Sequence, residues 1–289
     1  MIKAPLVGAF SFVFPLLCVR LARYQIHSSR DGTMPPLMEW LVITLASLFA
    51  GFVDSIVGGG GLILVPALFS VFPGAPAATL FGTNKSASVW GTAAATVQFS
   101  RRVHMRWHAL LPAAGCAFAG ALTGAWLLTL VPGDFLRKLL PFILLGLLLY
   151  TLARKDLGRH HAPNFAARAE LAVMCAVGFV IGMYDGFFGP GTGSFFIFAM
   201  VRVLGYDFLN ASASAKLLNT TTNLGGLLLL AMKGHVWWHY GLVMAVANVT
   251  GSLLGARVAL KHGAGFVRKV FMVVVSALIL KTAHDAFFK

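Results

Sequence analysis

Of the 289 residues, 58% are hydrophobic and only 11% charged, with a mean hydropathy of +0.82. Soluble domains carry about a quarter charged residues, so this balance excludes a water-soluble globular protein and predicts an all-α, polytopic membrane helix bundle. The 23 Lys and Arg against 9 Asp and Glu fall mostly in short loops, where positive charge is retained on the cytoplasmic side; the excess reports topology rather than a nucleic-acid partner.

Residues 1–36 open with Lys3 and an apolar run to Leu17, but Arg20 and Arg23 follow and no small-residue cleavage site is present. The expectation is an extra N-terminal helix, or a translated extension upstream of Met34 or Met38. Apolar segments then run over 38–57, 62–73, 83–99, 109–131 and 139–153, and again over 171–188, 194–205, 213–232, 240–260 and 267–284. This predicts about eight to ten spans. The second segment of each set is about a dozen residues long, too short to cross a bilayer, and is expected as a half-helix or re-entrant piece. Cys18, Cys116 and Cys175 stand singly in apolar segments, so neither a disulfide framework nor a zinc site is indicated, and no cofactor is expected.

The chain is written twice. A shift of 131 residues pairs Gly51 with Gly182, Asp54 with Asp185, Gly58 with Gly189, Gly60 with Gly191 and Lys85 with Lys216. The same ungapped shift carries Trp107-His108 onto Trp238-His239 and Gly120/Gly124 onto Gly251/Gly255. Repeat 1 is placed at 37–153, a cytoplasmic linker at 154–170 and repeat 2 at 171–289. Loops near 101–106, 154–168 and 261–269 hold ten Lys and Arg, those near 132–138 and 233–239 only three. Placing the first group in the cytoplasm needs an odd number of crossings per repeat, which predicts inverted topology. Inverted repeats build secondary transporters with a site near the midplane.

Residues 51–69, GFVDSIVGGGGLILVPALF, combine a carboxylate with a helix break. Irregular backbone at membrane depth must be buried in protein or line a cavity, and the N–H groups that open the following helix form an anion site. Gly58, Gly59, Gly60 and Gly61 are therefore candidate substrate-binding residues, with Gly189, Gly191 and Gly193 of YDGFFGPGTG as the second half. Pro190 removes one backbone donor there, so the halves are unequal. Gly120/Gly124 and Gly251/Gly255 read as packing faces.

Intramembrane lysines are costly and face a cavity or a counter-ion. Lys85 and Lys216 are candidates to hold a small anionic substrate, with Thr83, Asn84, Ser212, Asn219 and Asn223 as hydrogen-bond partners. The competing reading pairs Lys85 with Asp54 and Lys216 with Asp185 as structural salt bridges, each 31 residues apart. Asp54 and Asp185 are candidates to bind a coupling proton or cation, or to brace the broken helices. His104, His108, His235 and His239 lie beside Trp107, Trp237 and Trp238 as interface anchors.

GFVDSIVGGGGLILVPAL (51–68) followed by FGTNKSAS (81–88) resembles the signature of the TauE/SafE sulfite exporter family, small permeases with a duplicated domain. The resemblance spans roughly residues 38–285; in the second copy AK stands where GTNK has NK, and GPG replaces GGG. It implies a multi-pass transporter of the bacterial cytoplasmic membrane, with helical inverted repeats, that moves sulfur oxyanions such as sulfite or organosulfonates. The expected function is secondary transport of a small anion across the lipid bilayer, not enzymatic. A passive anion channel is the alternative. An intramembrane aspartyl protease is a weaker one, since the Gly-x-Gly-Asp element of those enzymes is missing.

Overall fold

The computed structural model describes residues 36–132, Phe135 and 166–287, so the expectations for 1–35 and for the apolar segment 139–153 lie outside the described residues. The chain divides into Met1–Leu41 and Val42–Lys289. Of the first unit only Pro36–Leu41, the opening turns of one helix, is described; every contact given below lies within the second.

The elements are α1 (Pro36–Val57), α2 (Gly61–Val71), α3 (Ala77–Ser100), α4 (Trp107–Leu128), α5 (Ala167–Phe187), α6 (Thr192–Arg202), α7 (Phe208–Met232) and α8 (Trp238–Phe287). No strand occurs among the described residues. The protein is an all-α membrane bundle. The segments expected at 240–260 and 267–284 both fall within α8, which is interrupted between them at Gly263, where the backbone leaves the helical conformation (φ 72°, ψ −168°). α3 and α7 begin earlier than the apolar runs at 83 and 213 predict, because equivalent positions start them. Pro76 presets the backbone before α3, and Asp207 caps α7 by accepting from the N–H of Leu209 (2.8 Å) and Asn210 (2.9 Å).

Long apolar stretches able to cross a bilayer lie in α1, α4, α5 and α8, whereas α2 and α6 are shorter apolar helices. Leu111, Val180 and Val246 remain exposed on α4, α5 and α8, as side chains facing lipid should. α3 and α7 are long enough to span but carry buried Lys85, Asn84 and Thr92, and buried Lys216, Asn219 and Asn223. Polar groups of this kind are tolerated in a membrane only when they face the bundle interior, and these two helices hold the site.

The close crossings obey the repeat. On α4, a Cβ at Gly120 would lie 2.2 Å from the Phe179 carbonyl oxygen, and one at Gly124 would lie 1.9 Å from that of Met183. On α8, a Cβ at Gly251 would lie 1.9 Å from the Leu48 carbonyl oxygen, and one at Gly255 would lie 2.3 Å from that of Phe52. Each α8 contact is the α4 contact moved by 131 residues in both partners. α4 of repeat 1 thus seats α5 of repeat 2, and α8 of repeat 2 seats α1 of repeat 1, through small residues that let backbones approach.

The two ends of α3 meet different turns. Before its start, Phe72 stacks edge-on against Trp237 (5.2 Å) and tilts against Tyr240 (5.0 Å) at the α7–α8 turn. Beyond its other end, Arg106 donates to Glu170 at 2.5 Å, and the Tyr206 hydroxyl of the α6–α7 turn donates to the same carboxylate. A 24-residue helix separates these layers by about 36 Å.

Candidate functional site

α1 stops at Val57 and α2 starts at Gly61, with Gly58 at φ 78° between them; α5 stops at Phe187 and α6 starts at Thr192, with Gly189 at φ 92° and Gly191 at φ 83°. The two breaks meet. Ser194 donates its N–H to the Gly58 carbonyl (3.0 Å) and its hydroxyl to the Val57 carbonyl (2.9 Å). Each break therefore satisfies part of the other's free backbone, as a lipid environment demands.

The first N–H groups of a helix lack intrahelical acceptors. Turn bonds take up Leu62, Ile63 and Leu64 in α2 and Thr192 and Phe195 in α6, while Ser194 is used as above. That leaves the N–H groups of Gly61 and Gly193, both of which line a single cleft.

The walls of the cleft include Asp54, Gly58, Gly61, Asp185, Gly189, Gly191, Thr192 and Gly193 from the breaks. Asn84, Ser88 and Thr92 of α3 and Asn219 and Asn223 of α7 complete it. On each helix these residues recur every fourth position, which stacks them on one face.

Behind the walls the lysines cross between repeats. Lys85 Nζ donates to Asp185 Oδ2 at 2.8 Å, and Thr192 Oγ1 donates to Asp185 Oδ1 at 2.8 Å. Lys216 Nζ donates to the Asp54 backbone carbonyl and lies 3.9 Å from Asp54 Oδ2. The pairing expected within each repeat, Lys85 with Asp54 and Lys216 with Asp185, is thus exchanged. Because α1 and α5 each lean on the other repeat, the nearest lysine to each carboxylate comes from across the interface. Asp54 also braces its own break, accepting the Gly60 N–H at Oδ1 (3.1 Å).

Of the sequence-predicted residues, Gly58, Gly61, Asn84, Gly189, Gly191, Gly193, Asn219, Asp54 and Asp185 lie on the cleft. Lys85 and Lys216 are almost fully buried in their pairs. Gly60 supplies the N–H held by Asp54, and Gly59 faces Leu62 and Val53. Thr83 points to the α8 side, donating to the Thr79 carbonyl (2.7 Å) and accepting from the Trp237 N–H (3.0 Å). Ser88, Thr92 and Thr192 line the cleft without being among the sequence-predicted residues. The signal was there: the 131-residue shift carries Ser88 onto Asn219 and Thr92 onto Asn223.

The cleft therefore offers backbone N–H, amide and hydroxyl donors around a centre of two carboxylates and two lysines, suited to a small polar ion. A family profile described as sulfite exporter TauE/SafE matches residues 43–282. The chain belongs to the TauE/SafE family. It is 36% identical to the "Probable membrane transporter protein YfcA" of Escherichia coli (strain K12) over 85% of this chain and 90% of that one. It is likewise 36% identical to the "Probable membrane transporter protein ORF9" of a Sinorhizobium species, over 83% of this chain and 91% of that one. The similarity to "Probable membrane transporter protein YunE" of Bacillus subtilis is 22% over 87% of this chain and the whole of that one. No solved structure matches. As a member of this family with these apolar helices, the protein is a multi-pass membrane transporter.

Proposed function

We propose that the protein is a secondary transporter of small anions, sulfur oxyanions such as sulfite or an organosulfonate, with the Gly-lined cleft as its substrate site. The observation that carries this reading is the meeting of two broken-helix starts, one per repeat, at one cleft where the Gly61 and Gly193 N–H groups are free to donate. Helix N-termini favour negative charge. Lys85 and Lys216 act from behind the wall, balancing Asp185 and Asp54 so that an incoming anion meets no net negative charge. The family description, which names sulfite, supports the same class of substrate.

The two repeats are inverted in this reading, and access alternates as one repeat moves against the other. Support comes from α3, whose start lies beside the α7–α8 turn while its end leads to the opening of α5 and the α6–α7 turn. Equivalent turns of the two repeats thereby fall in opposite layers.

Proteoliposomes test the proposal. Flux of sulfite or a small sulfonate should saturate and show counterflow, and Asn219→Ala should raise the half-saturating concentration about tenfold, the loss of one bond to a charged ligand. Non-saturating flux without counterflow would make the protein a channel; no flux across a panel of sulfur oxyanions would overturn the substrate class.

A further inference from the structure

The two Asp–Lys pairs are equivalent by repeat but unequal in chemistry. Asp185 is saturated, with Lys85 on Oδ2 and the Thr192 hydroxyl on Oδ1. Asp54 is not. Its Oδ1 takes the Gly60 N–H, but Lys216 donates to its backbone carbonyl and leaves Oδ2 at 3.9 Å, beyond hydrogen-bond range. Oδ2 is buried with no hydrogen-bond partner, and a second buried oxygen on the same cleft, Asn84 Oδ1, has none either.

The sequence explains the difference. The counterpart of Thr192 is Gly61, so the hydroxyl that completes Asp185 is missing beside Asp54; the counterpart of Asn84 is Ala215, so Asp185 has no second bare oxygen. Buried acceptors without donors are costly, and two of them on residues that line one cleft ask for a positive ligand. We propose that Asp54 and Asn84 bind one small hard cation, a proton or a sodium ion, while Asp185 is a structural brace.

The groups that titrate or carry charge around Asp54 are Lys216 of α7 and, on the shared cleft, Asp185 of α5 with its partner Lys85 of α3. α2 and α6 bring Gly61, Thr192 and Gly193 to the cleft, and α8 brings Asn248 and Ser252 against α1. Two lysines and two carboxylates leave the centre neutral. A bound cation adds one positive charge and a bound anion one negative, so in a low-dielectric site each offsets the cost of the other. By linkage each raises the other's affinity by the same factor. This coupling rests on the proposed anion site; the cation site does not.

Hydrophobic carbodiimides modify protonated carboxyl groups in apolar surroundings, and adducts on the purified full-length protein can be mapped by mass spectrometry without any substrate. The expected adduct is on Asp54 and not on Asp185, and it declines as pH rises. Sodium that protects Asp54 at constant pH identifies sodium as the ligand; response to pH alone identifies the proton. In Asn84→Ala the cation concentration at half effect should rise about fivefold or more, the loss of one bond to a charge. A preferred adduct on Asp185, no adduct on either carboxylate, or an unchanged half-effect concentration in Asn84→Ala would overturn the proposal. Because the wild-type protein carries the main test, the result is independent of whether sulfur oxyanions are transported.

Discussion

Gly58 and Gly193 touch backbone to backbone: a Cβ on Gly58 would lie 2.2 Å from the Gly193 carbonyl carbon, and one on Gly193 would lie 2.5 Å from the Gly58 Cα. Gly58 also needs φ 78° to turn the chain from α1 into α2. Gly58→Ala therefore meets two separate penalties, ~1–2 kcal/mol for a left-handed backbone and ~1–3 kcal/mol for overpacking. The expected loss is about 2–5 kcal/mol, read as a lower thermal-unfolding midpoint in detergent. Because the contact joins the repeats, Gly193→Ala should act in the same direction although its own backbone is helical.

The helix-packing glycines separate by position on one helix. Gly124 of α4 would drive a Cβ to 1.9 Å from the Met183 carbonyl oxygen, while at Gly115 of the same helix a Cβ meets nothing within 4 Å. Gly124→Ala should destabilise, with Gly255→Ala its counterpart in α8. Gly115→Ala should stabilise by about 0.5–1 kcal/mol through helix propensity alone. Unfolding midpoints of the three variants, compared in one detergent, check the ordering.

A double-mutant cycle measures the inequality of the two ion pairs. Lys85→Met leaves Asp185 buried with the Thr192 hydroxyl as its remaining partner, and breaking such a pair from one side costs about 3–5 kcal/mol. Adding Asp185→Asn should restore much of that loss. The corresponding cycle of Lys216→Met and Asp54→Asn should show a smaller coupling energy, because Nζ and Oδ2 are 3.9 Å apart and the lysine's closer partner is a backbone carbonyl that neither substitution removes.

Much of this architecture is legible in the sequence because lipid leaves few options. A carboxylate and a glycine break inside an apolar run must face inward, so the placing of Asp54, Gly58 and Gly61 on an internal cleft followed from residue type. The repeat extended the same inference to Asp185 and Gly189. What one copy of the repeat does not reveal is which copy supplies each partner. Lys85 is equally spaced in sequence from Asp54 as Lys216 is from Asp185, yet the crossing of α4 with α5 and of α8 with α1 exchanges the pairs. The polar faces at Ser88 and Thr92 were obscured for a different reason: serine and threonine also bond their own helix carbonyls, as Thr92 does to Ser88 (2.9 Å), and so carry a weak signal in isolation.

Of the Tyr206–Glu170–Arg106 cluster the 131-residue shift repeats only the carboxylate, as Glu39, while Ala75 and Trp237 stand at the positions equivalent to Tyr206 and Arg106. Burial, followed by the hydrogen bond to the Glu170 carboxylate, pushes the Tyr206 phenol above its ordinary value. A phenol raised in the folded state contributes stability that is fully present below its unfolded value, about 10. That stability is lost as pH climbs from there toward the folded value, because the unfolded chain then holds fewer protons than the native one. The wild-type protein should therefore lose stability above about pH 10, with this one proton contributing a slope of at most ~1.4 kcal/mol per pH unit. Tyr206→Phe should cost ~1.5–3 kcal/mol near neutral pH, the loss of a bond to a charged group, and should remove that part of the alkaline decline. The measurement is the difference between the two unfolding midpoints as pH is raised: it should narrow above pH 10, and a constant difference would show that the phenol does not donate to Glu170.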